Sequence, residues 1–65
     1  MKKIIFIGAG NIATNLAINL AKNNYQIIQI FSKSLVNAKI LADKVNANAT
    51  NDLSKIKRAD IIILS

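Results

Sequence analysis

The 65-residue chain contains no cysteine, so no disulfide or thiolate metal site can supplement its core. It contains no histidine, and its only acids are Asp43, Asp52 and Asp60. A Ser-His-Asp triad or a hydrolytic metal site is therefore excluded within these residues. Proline is absent, and Gly8 and Gly10 are the only glycines. Backbone freedom is thus concentrated at a single turn. No stretch approaches the ~20 apolar residues of a membrane helix. Lys2-Lys3 followed by Ile4–Ile7 has the outline of an export signal. The apolar run is shorter than the ~7–15 residues such a signal needs, and Gly8, Gly10 and Asn11 interrupt it. The cytoplasm is the expected location. A chain of this length forms one small domain and buries only about 60% of its unfolded surface.

The formal net charge is +6, which raises the question of nucleic acid. The basic residues argue against it. Lys2, Lys3, Lys22, Lys39, Lys44, Lys55, Lys57 and Arg58 are scattered and form no basic run interleaved with aromatics. Neither nucleic acid nor membrane is the expected partner, although a basic surface favours a polyanionic cofactor.

The chain is organised around Lys3–Ala17. Ile4, Ile5, Phe6 and Ile7 form a continuous apolar run rich in β-branched side chains, as in a strand covered on both faces. Gly8 permits a sharp turn, Gly10 leaves room for a pyrophosphate against the backbone, and Ala13 lets the next helix pack close. From Asn11 the apolar spacing becomes helical: Ile12, Ala13, Leu16, Ala17, Leu20, Ala21. Gly-x-Gly-x-x-Ala between a strand and a helix is the context a dinucleotide turn requires. The amides of the helix's first turn and its positive dipole end would receive the pyrophosphate. Gly8, Ala9, Gly10, Asn11 and Ile12 are the candidate residues for this half of the site.

Along the remaining sequence, the pattern predicts a helix over about Asn11–Asn23, with Asn23-Asn24 ending it. A second strand is expected over Gln26–Phe31, in which Gln26 and Gln29 are atypical of a sheet interior. A helix over Leu35–Val45 follows, with Ser34 as its N-cap and Asn46 closing it. A short strand over Ala47–Thr50, a short helix from Asn51 or Asp52 through Arg58, and a strand over Ala59–Leu64 complete the chain. This alternation implies an α/β, Rossmann-like, doubly wound parallel sheet of about four strands, in order 3-2-1-4. Right-handed crossovers place the first two helices on one face and leave the other largely bare.

The end of the second strand selects between cofactors. An NAD site usually carries Asp or Glu there for the ribose hydroxyls. Here Ile30-Phe31-Ser32-Lys33-Ser34 contains no acid. Lys33 supplies a positive charge, and Ser32 and Ser34 supply hydroxyls for the extra phosphate of NADP. NADP is therefore expected over NAD.

Gly8-Ala9-Gly10-Asn11-Ile12-Ala13 with Phe31-Ser32-Lys33-Ser34 resembles the N-terminal NADP-binding domain of pyrroline-5-carboxylate reductase-like proteins. It more closely resembles a set of oxidoreductases or dehydrogenases that join such a domain to a helical C-terminal domain of unknown function. The resemblance runs from Lys2 to Ser65. It implies NADP binding and hydride transfer, with the substrate held by a C-terminal domain absent from these residues and any homo-oligomer formed through that domain. It names no substrate and no catalytic residue. Two other readings stand beside it, a non-catalytic nucleotide-sensing module and a fragment without independent activity. Ser65 is placed near the cofactor crevice, without an assigned chemistry.

Overall fold

A computed structural model describes residues 1–65. Its elements are β1 (Lys3–Ile7), α1 (Asn11–Lys22), β2 (Gln26–Phe31), α2 (Leu35–Val45), β3 (Asn48–Thr50), a single 3-10 turn (Leu53–Lys55) and β4 (Ile61–Leu64). The four strands are all parallel, in the order β3-β2-β1-β4. This is the Rossmann-like α/β sheet that the alternation of patterns predicts. No helix is long and apolar enough to cross a membrane.

The helix ends follow from their residues. Ser34 caps α2 by accepting a hydrogen bond from the Asn37 amide at 3.3 Å. Asn46 closes α2 in the left-handed conformation, at φ 58°, which asparagine tolerates better than most side chains. Asn23 caps α1, and Asn24 takes the left-handed position beyond it at φ 68°.

The core lies between the sheet and both helices. Ile4, Phe6, Ile27 and Ile30 of the strands meet Ala13, Ala17, Ala38, Leu41 and Ala42 of the helices. The alanines permit close helix-to-sheet packing but bury little area each, so the core is compact and small. Side chains alternate between sheet faces along a strand, yet Ile27 and Ile30 face the same side. A bulge explains this. The β1–β2 register slips between Ile4↔Ile27 and Ile5↔Gln29, so Ile28 is the extra residue. The bulge turns Gln29 onto the face away from the helices.

On that second face the structure departs from the sequence pattern. The expected helix through Arg58 is only the turn Leu53–Lys55, and Ile56 is already extended at φ −67°, ψ 129°. The physical reason is competition for backbone groups. The Lys57 amide donates to Gln29 Oε1 at 3.0 Å, and Gln29 Nε2 donates to the Lys55 carbonyl at 3.0 Å. An amide held by a side chain cannot close a helical turn. The third and fourth strands also begin later than the pattern suggests, at Asn48 and Ile61.

Asp52 caps the 3-10 turn. Asp52 Oδ1 accepts from the hydroxyl of Ser54 at 2.7 Å and from its amide at 2.9 Å. These two bonds, with a smaller contribution from the charge of Lys55, hold the carboxyl below its ordinary value. A depressed folded-state value means that this carboxylate stabilises the turn above the unfolded-state value and loses that contribution as pH falls through the folded one. The Ser54 amide resonance is therefore expected to shift only in acid, below the ordinary carboxylate range. An Asp52→Asn variant should show no such acid transition.

Candidate functional site

The carboxyl ends of β1, β2 and β4 converge on the glycine turn. The Gly8 amide donates to the Phe31 carbonyl at 2.8 Å, tying the turn to the end of β2. The Ser65 amide donates to the Ile7 carbonyl at 2.9 Å, tying it to the end of β4. Gly8 has φ 121°, a conformation that side chains rarely adopt, and a Cβ there would overlap the carbonyl oxygen of Ser65. Gly8 is thus required by the fold itself.

Gly10 differs. Its backbone is extended, at φ −80° and ψ −170°, and a Cβ built on it would meet nothing within 4 Å. Any residue could stand there as far as the chain is concerned. Gly10 is also the N-cap of α1 and supplies no side-chain cap, and the first turn carries no acid. The first-turn amides therefore face open space without an intrachain acceptor. The Gly10 carbonyl is engaged, accepting from the Thr14 amide and hydroxyl at 2.9 Å each. Thr14 is accordingly part of the helix's own bonding. Asn11 and Ile12 are exposed beside the turn, Ile12 with 78% of its surface free, and Ala9 is partly buried against the core.

The second cluster follows β2. The Ser32 amide donates to the Thr50 carbonyl at 3.1 Å, and Ser32 Oγ accepts from the Ser34 amide at 3.2 Å. Ser34 Oγ accepts from Asn37. Each hydroxyl thus spends a lone pair on a backbone amide and keeps its hydrogen for an outside acceptor. Lys33 is exposed between them, and the first turn of α2 contains no acid. Both clusters lie at the carboxyl ends of adjacent strands, linked by the Gly8–Phe31 hydrogen bond. No group of His, Cys, Asp and Glu side chains is arranged to hold a metal.

The sequence matches the family model "NADP oxidoreductase coenzyme F420-dependent" over residues 3–65. The chain belongs to this family. Its backbone superposes on the crystal structure of a Bacteroides fragilis protein assigned as an NADP oxidoreductase, with TM-score 0.96 and 42% identity, over 98% of this chain and 25% of that one. The WlbA dehydrogenase of Chromobacterium violaceum, solved with NADH and UDP-GlcNAcA, shares the fold with TM-score 0.82 and 22% identity, over 98% of this chain and 20% of that one. The chain thus spans about a quarter or less of the solved proteins it resembles. None of the curated proteins matches it. These likenesses make it a Rossmann-like NAD(P)-binding domain of the oxidoreductase class.

Proposed function

We propose that these residues are the NADP-binding portion of an oxidoreductase, with the pyrophosphate on the Gly8-Ala9-Gly10 turn and the adenosine phosphate at Ser32-Lys33-Ser34. The observation that carries this reading is the open space at Gly10. Glycine in an unstrained, uncrowded position lets a ligand come within contact of the backbone, and the uncapped amides of α1 supply the donors a phosphate needs. Asn11 and Ile12 flank that position, where the exposed Ile12 side chain would be covered by the bound dinucleotide. The nicotinamide supplies a hydride donor or acceptor when bound. The task of the residues present is to hold the phosphates and orient the chain of the cofactor across the ends of β1 and β4. In this reading, substrate is held by a separate domain outside these residues. That assignment agrees with the small share of the Bacteroides fragilis protein that the chain spans.

The choice of NADP over NAD rests on charge. A carboxylate after β2 would repel a dianionic phosphate, whereas Lys33 attracts it and two hydroxyls can donate to it. A hydrogen bond to a charged group contributes about 1.5–3 kcal/mol, enough for a preference of roughly ten- to a hundredfold. Lys33→Glu is expected to weaken NADPH binding by about tenfold or more while changing NADH binding by no more than about threefold. Added salt should narrow the difference. Competitive titrations of the two cofactors measure this directly. Equal wild-type affinities would show that the Ser-Lys-Ser loop does not read the phosphate.

A further inference from the structure

Gln29 is a polar residue in the middle of β2 with only 3% of its surface exposed, in a sheet position that aliphatic residues normally fill. Both ends of its amide are engaged by the backbone between β3 and β4, at Lys55 and Lys57. The side chain thus offers one acceptor and one donor to neighbouring groups of an extended segment, as a strand's own peptide would. It holds that segment over the second face, where Ile5, its partner across the β1–β2 ladder, is fully buried.

From this clamp the chain has little freedom before the cofactor turn. Three residues beyond Lys57, Asp60 bonds Lys3 twice. Its amide donates to the Lys3 carbonyl at 2.9 Å, and its carboxylate accepts from the Lys3 amide at 2.8 Å. β4 then runs in register with β1, Ile4↔Ile61 through Ile7↔Leu64, and delivers the Ser65 carbonyl into the space beside Gly8 that a side chain would need. Gln29 also lies two residues before Phe31, whose carbonyl receives the Gly8 amide. One buried amide therefore joins β2, whose end holds the Gly8 amide, to the segment that leads into β4.

We propose that Gln29 is a positioning residue for the cofactor turn, acting through the β3–β4 crossover and the placement of β4 rather than by touching the cofactor. The proposal rests on the NADP-binding reading for its functional consequence, and its structural half stands apart from it.

A pair of variants tests it in the native protein. Gln29→Met fills the space but leaves the Lys55 carbonyl and Lys57 amide without partners. Gln29→Glu is nearly isosteric. Protonated, it can still donate to Lys55 and accept from Lys57; ionised, it sets a carboxylate against the Lys55 carbonyl. The charged groups facing it are Lys55 and Lys57, which share its hollow with the neutral Asn48, Thr50 and Asn51. The lysines favour ionisation and burial opposes it, so the variant is compared across pH. Protection of the Lys57 and Ser65 amides and NADP affinity, each relative to wild type at the same pH, are the readouts. Protection of the Phe6 and Ile30 amides reports that the helix-side core is folded.

Gln29→Met is expected to lose protection at Lys57 and Ser65 and to bind NADP about tenfold more weakly at any pH. Gln29→Glu should resemble it where the carboxyl is ionised and approach wild type at a pH low enough to protonate it. Wild-type protection at Ser65 in Gln29→Met, or no recovery of Gln29→Glu in acid, overturns the assignment. A wild-type protein that fails to bind NADP refutes the cofactor reading instead, and the amide protections still decide the role of Gln29.

Discussion

Gly10→Val is expected to abolish measurable NADPH binding, by at least about a hundredfold, while leaving the fold as stable as before to within about 1 kcal/mol. The two halves of this expectation have separate causes. Gly10 sits at an ordinary backbone conformation with empty space beyond its Cα, so valine meets no protein atom. Valine is the poorer N-cap, but its smaller freedom in the unfolded chain offsets most of that cost. The side chain instead fills the volume where a pyrophosphate would contact the first-turn amides. Losing even one or two charge-assisted hydrogen bonds of about 1.5–3 kcal/mol each accounts for the hundredfold. Gly8 supplies the contrast. Gly8→Val combines a φ of 121° with an overlap against the Ser65 carbonyl, and should cost at least about 3 kcal/mol of stability. Thermal unfolding and NADPH titration of the two variants separate a glycine kept for the fold from a glycine kept for a ligand. If Gly10→Val binds NADPH normally while folded, the pyrophosphate assignment fails.

The motif itself assigns Gly8 to the turn and Gly10 to the ligand, but what makes Gly8 indispensable is not legible in it. That is the contact with Ser65, which is 57 residues away along the chain and adjacent only because β4 pairs with β1. What the sequence did carry was everything local. The 3.6-residue stripe of α2, the N-cap at Ser34 and the left-handed closure at Asn46 depend on neighbours within one turn, and each is found where its pattern puts it. The aliphatic runs mark β1 and β4, and the order of elements with the handedness of crossovers gives the sheet order. The segment after β3 reads as helix because its composition, an acid at the start and bases at the end, suits a helix in isolation. Its backbone is claimed instead by Gln29, 26 and 28 residues earlier. The oddity of a glutamine inside an aliphatic strand was visible, but its partner was not, since a one-residue bulge decides which face it occupies.

The 65-residue chain on its own is expected to self-associate through β4 rather than persist as a compact monomer. β4 pairs with β1 alone, so its outer row of amides and carbonyls is open. Its sequence, Ile61-Ile62-Ile63-Leu64, contains no charge, proline or glycine to discourage pairing with another chain. The helices lie on the other face from Ile62 and Leu64, which leave 53% and 78% of their surface free. Each large aliphatic left in water forgoes up to about 1.5–3 kcal/mol of burial, against a total stability of about 5–15 kcal/mol for an ordinary domain. The helix-side core offers little reserve, since four of its nine buried members are alanines. The net charge of +6 opposes association at low salt, so raising the ionic strength should promote it. Sedimentation velocity of the chain is expected to show a distribution extending well above 7.1 kDa and moving higher with salt. Ile62→Lys with Leu64→Lys, both on the helix-free face, should collapse that distribution toward monomer without touching the helix-side core. A monodisperse wild-type monomer with strongly protected amides over Ile61–Leu64 would show that the open edge of β4 is not a driving surface.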